Sequence, residues 1–240
     1  MTAIDDGVVP LSALQPDSTT EESDAMNAMI RTMLGLSLVA LIASPAAAQG
    51  RGGYGRGGGL AMLLGNASVQ KELKLDDSQT EKAKELSEKI GGEMREKMQD
   101  LQGLDQDERR TKMMEINREM NAVVTKSAGE FLKPEQIARL KQIAHQVRGP
   151  QAFADPEVAK KLNLTDSQKT DIREIETAAR EKMPSREDFQ SDREAAMKKS
   201  AEVNKETLSQ IASKLNDEQQ KTWKELIGAP FEIKYEPRSN

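Results

Sequence analysis

A duplication inside the chain constrains its fold more than any other feature. The run Val69-Gln-Lys-Glu-Leu73-Lys-Leu75-Asp-Asp-Ser-Gln79 recurs 89 residues later as Val158-Ala-Lys-Lys-Leu162-Asn-Leu164-Thr-Asp-Ser-Gln168. Ala83, Leu86 and Met94 continue in register at Ile172, Ile175 and Met183. A second run, Leu132-Lys-Pro-Glu-Gln136, returns 83 residues later as Leu215-Asn-Asp-Glu-Gln219, and Leu140-Lys141 beyond it matches Trp223-Lys224. Each copy then meets a Gly/Pro break and a Phe, Gly149-Pro150 before Phe153 and Gly228 and Pro230 before Phe231. The chain therefore holds two copies of one module, each with two Leu-x-x-x-Gln pentapeptides in the same order.

The pentapeptide reads as a helix start. Thr165 can accept from backbone N–H groups of the first turn, while Gln168 reaches back to the Thr165 N–H, forming a capping box. Asp166 then sits where the helix dipole favours negative charge. Asp76 with Gln79 and Asn216 with Gln219 can act in the same way. Lys133 cannot, so there Pro134 at the first helical position supplies the signal, with Gln136 behind it. The leading residues Leu75, Leu132, Leu164 and Leu215 are placed to pack back on the helix that follows. Each start stabilises its helix by about 1 kcal/mol. These residues read as structure rather than as a binding site.

Apolar residues recur at helical spacing behind the starts. Ala83, Leu86, Ile90, Met94, Met98 and Leu101 form one stripe. After a polar break over residues 102–107, Met113, Ile116, Met120, Val123 and Ser127 lead to Phe131. Two such arms form an antiparallel hairpin, and a last helix spans 135–147. In the second copy Ile172, Ile175, Ala179 and Met183 mark the first arm and Pro184-Ser185 the break. Phe189, Ala196, Val203 and Ile211 mark the return arm, and a final helix follows Asn216. Gly91-Gly92 suggests a kink or a close helix crossing in the first copy. No strand-like alternation of any length occurs. With only 3% aromatic residues the core must come from aliphatic side chains and Met, and thin helical layers suit that supply. The expected fold class is all-α, two tandem helical-hairpin modules.

The N-terminal part reads as an export signal. Arg31 is followed by a short apolar run from Met33 to Ala43, a Ser44-Pro45 break and the small residues Ala46-Ala47-Ala48, the three-part pattern of a cleaved signal peptide. The run is too short for a stable membrane span, which takes about 20 residues. Residues 1–25 are acidic and precede the signal, so they read as a leader upstream of a true start at Met26 or Met29. The expected organisation is leader 1–25, signal peptide 26–48, Gly-rich linker 49–66, first module 67–153, second module 154–235 and tail 236–240. The formal net charge of −5 comes from the first 48 residues, since those after them carry equal numbers of acids and bases. That balance argues against nucleic-acid binding by bulk electrostatics.

Catalytic chemistry is poorly provided for. The chain has no Cys, and its one His, His145, reads as a solvated or capping residue near a helix end. Asp and Glu alternate with Lys and Arg along helix faces, and the glycines of 50–59 follow no strand and make no phosphate cradle. No enzyme activity, cofactor or metal is expected. The methionines Met94, Met98, Met113, Met120 and Met183 form the candidate partner-contact face, because Met adapts to varied surfaces. Met114 lies beside them. At this spacing they read first as core.

The string Leu162-Asn-Leu-Thr-Asp-Ser-Gln-Lys-Thr-Asp-Ile-Arg-Glu-Ile175 resembles the first signature of the Spy/CpxP family, helical-hairpin proteins of the bacterial periplasm named for an L-T-x-x-Q motif. Leu132-Lys-Pro-Glu-Gln136 resembles the second signature. The resemblance runs over residues 69–231, twice. The family includes an ATP-independent chaperone, an inhibitor of an envelope-stress sensor kinase, and relatives that sense or bind metals. It implies a periplasmic or secreted binding protein whose partners are unfolded or other envelope proteins. It also implies either a monomer whose two copies imitate a dimer, or a homodimer. Two departures stand out: the chaperone is basic whereas this chain balances beyond residue 48, and a Gly/Arg tether replaces the Met/His-rich tail of some relatives.

Overall fold

The computed structural model describes residues 59–234. The leader, the signal peptide, the first part of the linker and the tail expected from the sequence lie outside them. The described residues are all-helical, with no strand among them. Ten α-helices follow one another: α1 Leu60–Leu64, α2 Ala67–Glu72, α3 Asp77–Gln99, α4 Gln106–Ala128, α5 Pro134–Arg148, then after a 3-10 turn (Gly149–Ala154) α6 Pro156–Lys161, α7 Asp166–Lys182, α8 Arg186–Ser191, α9 Arg193–Lys214 and α10 Asp217–Ile227.

The helix starts follow the local chemistry. Asp76, Thr165 and Asn216 each accept from the backbone N–H of the Gln three residues on, and that Gln caps back. At α5 only the return half forms, because a lysine side chain has no acceptor: the Lys133 N–H donates to Gln136 Oε1 at 2.9 Å behind Pro134. The links before α3 and α7 also match. Lys74 (φ 53°) and Asn163 (φ 48°) are left-handed. In each case the next residue's N–H, Leu75 or Leu164, returns to the carbonyl of Gln70 or Ala159 at 3.1 and 3.0 Å, the closing bond of a Schellman motif.

α3 and α4 pack antiparallel, with Gln79 near Phe131 at one end and Lys97 paired to Glu119 towards the other. α7 and α9 do the same, joined by Lys214–Asp171 and Lys182–Glu206. The equivalent helices α5 and α10 pack on each other and join the two copies. One core lies in each copy. The first gathers Leu64, Val69, Ala83, Ile90, Ile116, Met120, Val124 and Leu140; the second gathers Phe153, Val158, Leu162, Ile172, Ile211, Trp223 and Ile227. Each such large side chain, fully buried, contributes about 1.5–3 kcal/mol.

Several expectations need correction. The linker does not extend to 66: Leu60, Leu63 and Leu64 are buried and α1 packs on α3, α4 and α5. The 89-residue offset places α1 onto 149–153, so this stretch opens the module. For the same reason the border at 153/154 moves back, since Ala152 and Phe153 belong to the second core. Phe231 and Ile233 cross over to the first core, so residues 228–234 do not pack with the second module alone. On α4 the buried stripe runs Ile116, Met120, Val124 and Ala128, one residue on from Val123 and Ser127, because strict four-residue steps from Met120 keep to the core. The return arm of the second copy is split at Asp192 (φ −142°), which caps α9 by accepting from the Ala195 N–H. Phe189 on α8 consequently faces solvent, 41% exposed. Gly91 and Gly92 lie inside an unbroken α3, and a Cβ at either would meet nothing within 4 Å, so no close crossing requires them.

Candidate partner-contact surface and the amide clasp

The four glutamines of the repeated starts do more than cap. Gln79 Nε2 donates to Gln136 Oε1 at 2.9 Å, and Gln136 Nε2 donates back to Gln79 Oε1 at 3.2 Å. The remaining donors reach the carbonyls of Phe131 (2.8 Å) and Leu73 (3.0 Å). Each Oε1 also accepts the N–H of its own helix cap. The second copy repeats the arrangement: Gln168 and Gln219 exchange bonds at 2.8 and 3.0 Å and donate to the carbonyls of Lys214 and Leu162. Buried amides must be paired in this way, since an unpaired one costs about 1–3 kcal/mol. Leu75 is half-buried, and Leu132, Leu164 and Leu215 are buried around these clasps. The twelve motif residues Leu75, Asp76, Gln79, Leu132, Pro134, Gln136, Leu164, Thr165, Gln168, Leu215, Asn216 and Gln219 thus come together in two groups that close the open ends of the hairpins. Capping chemistry was visible in the sequence; the cross-pairing of first- and second-type glutamines was not, because the partners lie 57 and 51 residues apart.

The methionines divide. Met120 is 3% exposed and is core, so it presents no surface to a partner. Met94 and Met113 are half-buried against the first core, and Met183 is half-buried at the end of α7. Met98 (43% exposed) and Met114 (54%) stand out on α3 and α4 in the part of the hairpin away from the clasp. Exposed Phe189 lies near the corresponding turn of the second copy, and Met62 is exposed on α1. Phe189 was readable as an apolar residue but not as an exposed one. Thioether side chains that remain in water are adaptable contacts for varied partners.

Among the described residues no three His, Cys, Asp or Glu side chains gather as a metal site would need. Two surface depressions are each bordered by one stretch of helix, Thr170 to Glu181 on α7 and Leu104 to Lys112 at the start of α4. Neither brings together the groups from several elements that an enzyme's cleft supplies. No described helix is long and apolar enough to cross a membrane. His145, expected to be solvated or capping, is half-buried. Its Nδ1 is buried without a hydrogen-bond partner. Burial first, then the charges of Arg148, Lys161 and Lys141, outweigh the opposing Asp155 and hold its pKa down at about 4. It is therefore neutral at pH 7.

Comparison with family profiles, with characterised proteins and with solved structures finds no match to this chain.

Proposed function

We propose that this chain is an exported periplasmic protein of the Spy/CpxP type, binding unfolded or other envelope proteins without ATP through its hairpin surfaces. The observation that carries this reading is the pair of exposed methionines Met98 and Met114, flanked by half-buried Met94 and Met113. They leave thioether side chains in water on both arms of a helical pair whose far end is tied by the amide clasp. Such a surface suits partners that share no single sequence, because Met repacks around varied shapes. The resemblance of the Leu-x-x-x-Gln starts to the family signatures supports the same reading. Cleavage after Ala48 would leave residues 49–240, with the two copies in one chain imitating a dimer or pairing as a homodimer.

The test is light scattering of a denatured client diluted into buffer with residues 49–240 and no nucleotide. Suppression near equimolar ratio is expected, weakened several-fold in Met98→Gln/Met114→Gln. Both side chains are exposed, so the fold should tolerate the change. Absence of suppression over several clients at excess protein would remove the chaperone reading. The alternative is a regulatory partner of an envelope sensor, or a metal-responsive sensor. Capture of a sensor ectodomain would point to the former, and heat on titration with zinc, nickel, copper or cobalt to the latter.

A further inference from the structure

The segment after α10 crosses back to the first copy and lies along α2 and α5. Its contacts are of an unusual kind: side chains of the groove bind the backbone of the strap. Gln146 Oε1 accepts from the Phe231 N–H at 2.9 Å while its Nε2 donates to the Ala229 carbonyl at 2.8 Å. Arg139 Nη1 donates to the same carbonyl at 2.8 Å. Asn66 Nδ2 donates to the Lys234 carbonyl, and the Lys234 N–H donates to Ser68 Oγ, both at 3.0 Å. Arg139 also pairs with Glu72 at 2.7 Å, so one side chain ties the two walls together and touches the strap.

Burial along the strap alternates. Phe231 is half-buried and Ile233 buried against the first core, while Glu232 and Lys234 are exposed. That is the pattern of an extended chain laid on an apolar surface. A primary amide that spans the N–H of one residue and the carbonyl two residues earlier reads backbone rather than side-chain identity. The groove therefore asks little of a sequence: an extended backbone and apolar residues two apart.

We propose that the groove between α2 and α5 is a binding site for extended polypeptide segments with apolar residues at alternate positions, and that residues 229–234 are its resident occupant, displaced when such a segment arrives. The proposal rests on the polypeptide-binding reading above and deepens it by naming the segment that is held. The groove does the recognising through Asn66, Ser68, Arg139 and Gln146, and the strap keeps its apolar floor covered until a competitor comes.

The test uses the full chain and a fluorescent Ala-Pro-Phe-Glu-Ile-Lys peptide, followed by anisotropy. The strap-released variant Phe231→Ala/Ile233→Ala should bind it at least tenfold more tightly than the unaltered chain. Adding Gln146→Ala to that variant should abolish the gain. A peptide with Leu in place of Phe and Ile should bind within a few-fold, and one with Asp there should not bind. Equal binding to all variants, or none at millimolar peptide, overturns the proposal. A second measurement needs no variant: millimolar unlabelled peptide should speed hydrogen exchange of the Phe231 and Lys234 amides of the unaltered chain several-fold. Unchanged exchange overturns the proposal even if clients are kept soluble. Faster exchange without client suppression leaves the groove standing and removes only the chaperone reading.

Discussion

Replacing Gln136 by Met tests whether the amide clasp acts as one unit. The substitution keeps length and volume but removes four bonds: the cap of the Lys133 N–H, the two exchanged with Gln79, and the donation to the Leu73 carbonyl. At about 1 kcal/mol net each, the loss is about 4 kcal/mol, partly offset by about 1 kcal/mol from burying a thioether chain. The expected cost is about 3 kcal/mol, and Gln79→Met should cost about the same because it also makes four bonds. The double variant loses six bonds rather than eight, since two are shared, and regains two apolar side chains. It should cost about 4 kcal/mol, about 2 kcal/mol less than the sum. Urea unfolding at pH 7 followed by far-UV circular dichroism measures each corner of the cycle. Trp223, the one Trp of the chain, sits in the second core at 4.3 Å from Phe153, and its fluorescence reports that copy separately. A cost below about 1 kcal/mol for either single variant, or an additive double variant, would refute the coupled clasp.

Two further perturbations follow from single residues. His145 is uncharged in the fold with a pKa near 4, against 6.5 for the ordinary group. Its contribution is therefore complete above pH 6.5 and lost as pH falls from there towards 4. Between pH 7.5 and 5 stability should drop by about 2 kcal/mol more in the unaltered chain than in His145→Gln, read as the difference between their urea midpoints, and equal drops would exclude the effect. Gly228 ends α10 at φ 60°, ψ −158°, a region essentially closed to other residues. An added Cβ would also strike the Gln142 side-chain amide, which donates to the Glu225 carbonyl. Gly228→Ala should cost about 1–3 kcal/mol by strain alone. Gly149→Ala, with φ 55° but nothing within 4 Å of the new Cβ, should cost less, and thermal melts of the two variants give the order.

The all-α class and the helix starts were legible in the sequence because their causes are local. A cap reaches three residues, a stripe repeats every three or four, and a Gly or Pro break acts where it stands. Thr165 with Gln168 and Asn216 with Gln219 form the boxes that their spacing announces. The matched left-handed residues Lys74 and Asn163 were hidden, since neither is the glycine that marks such a turn. Whether a stripe residue faces core or water was also hidden where a helix breaks: Phe189 is exposed because Asp192 interrupts the arm, and Met120 is core while Met98 and Met114, no less apolar, stay in water.

Only the tertiary structure decided what the glutamines pair with, where the modules begin and what the last residues do. Gln79 could cap its own helix from sequence alone, but its partner Gln136 arrives only when the hairpin closes. Residues 60–64 looked like the end of a linker because five apolar residues are too few to show a period, and α3, α4 and α5 are what hold them. Phe231 and Ile233 alternate too briefly to be read, yet the meeting of α5 with α10 carries them onto the first core. Local chemistry chooses helices; the burial of side chains far apart in the chain chooses which of them meet, and that choice makes the groove and the clasp.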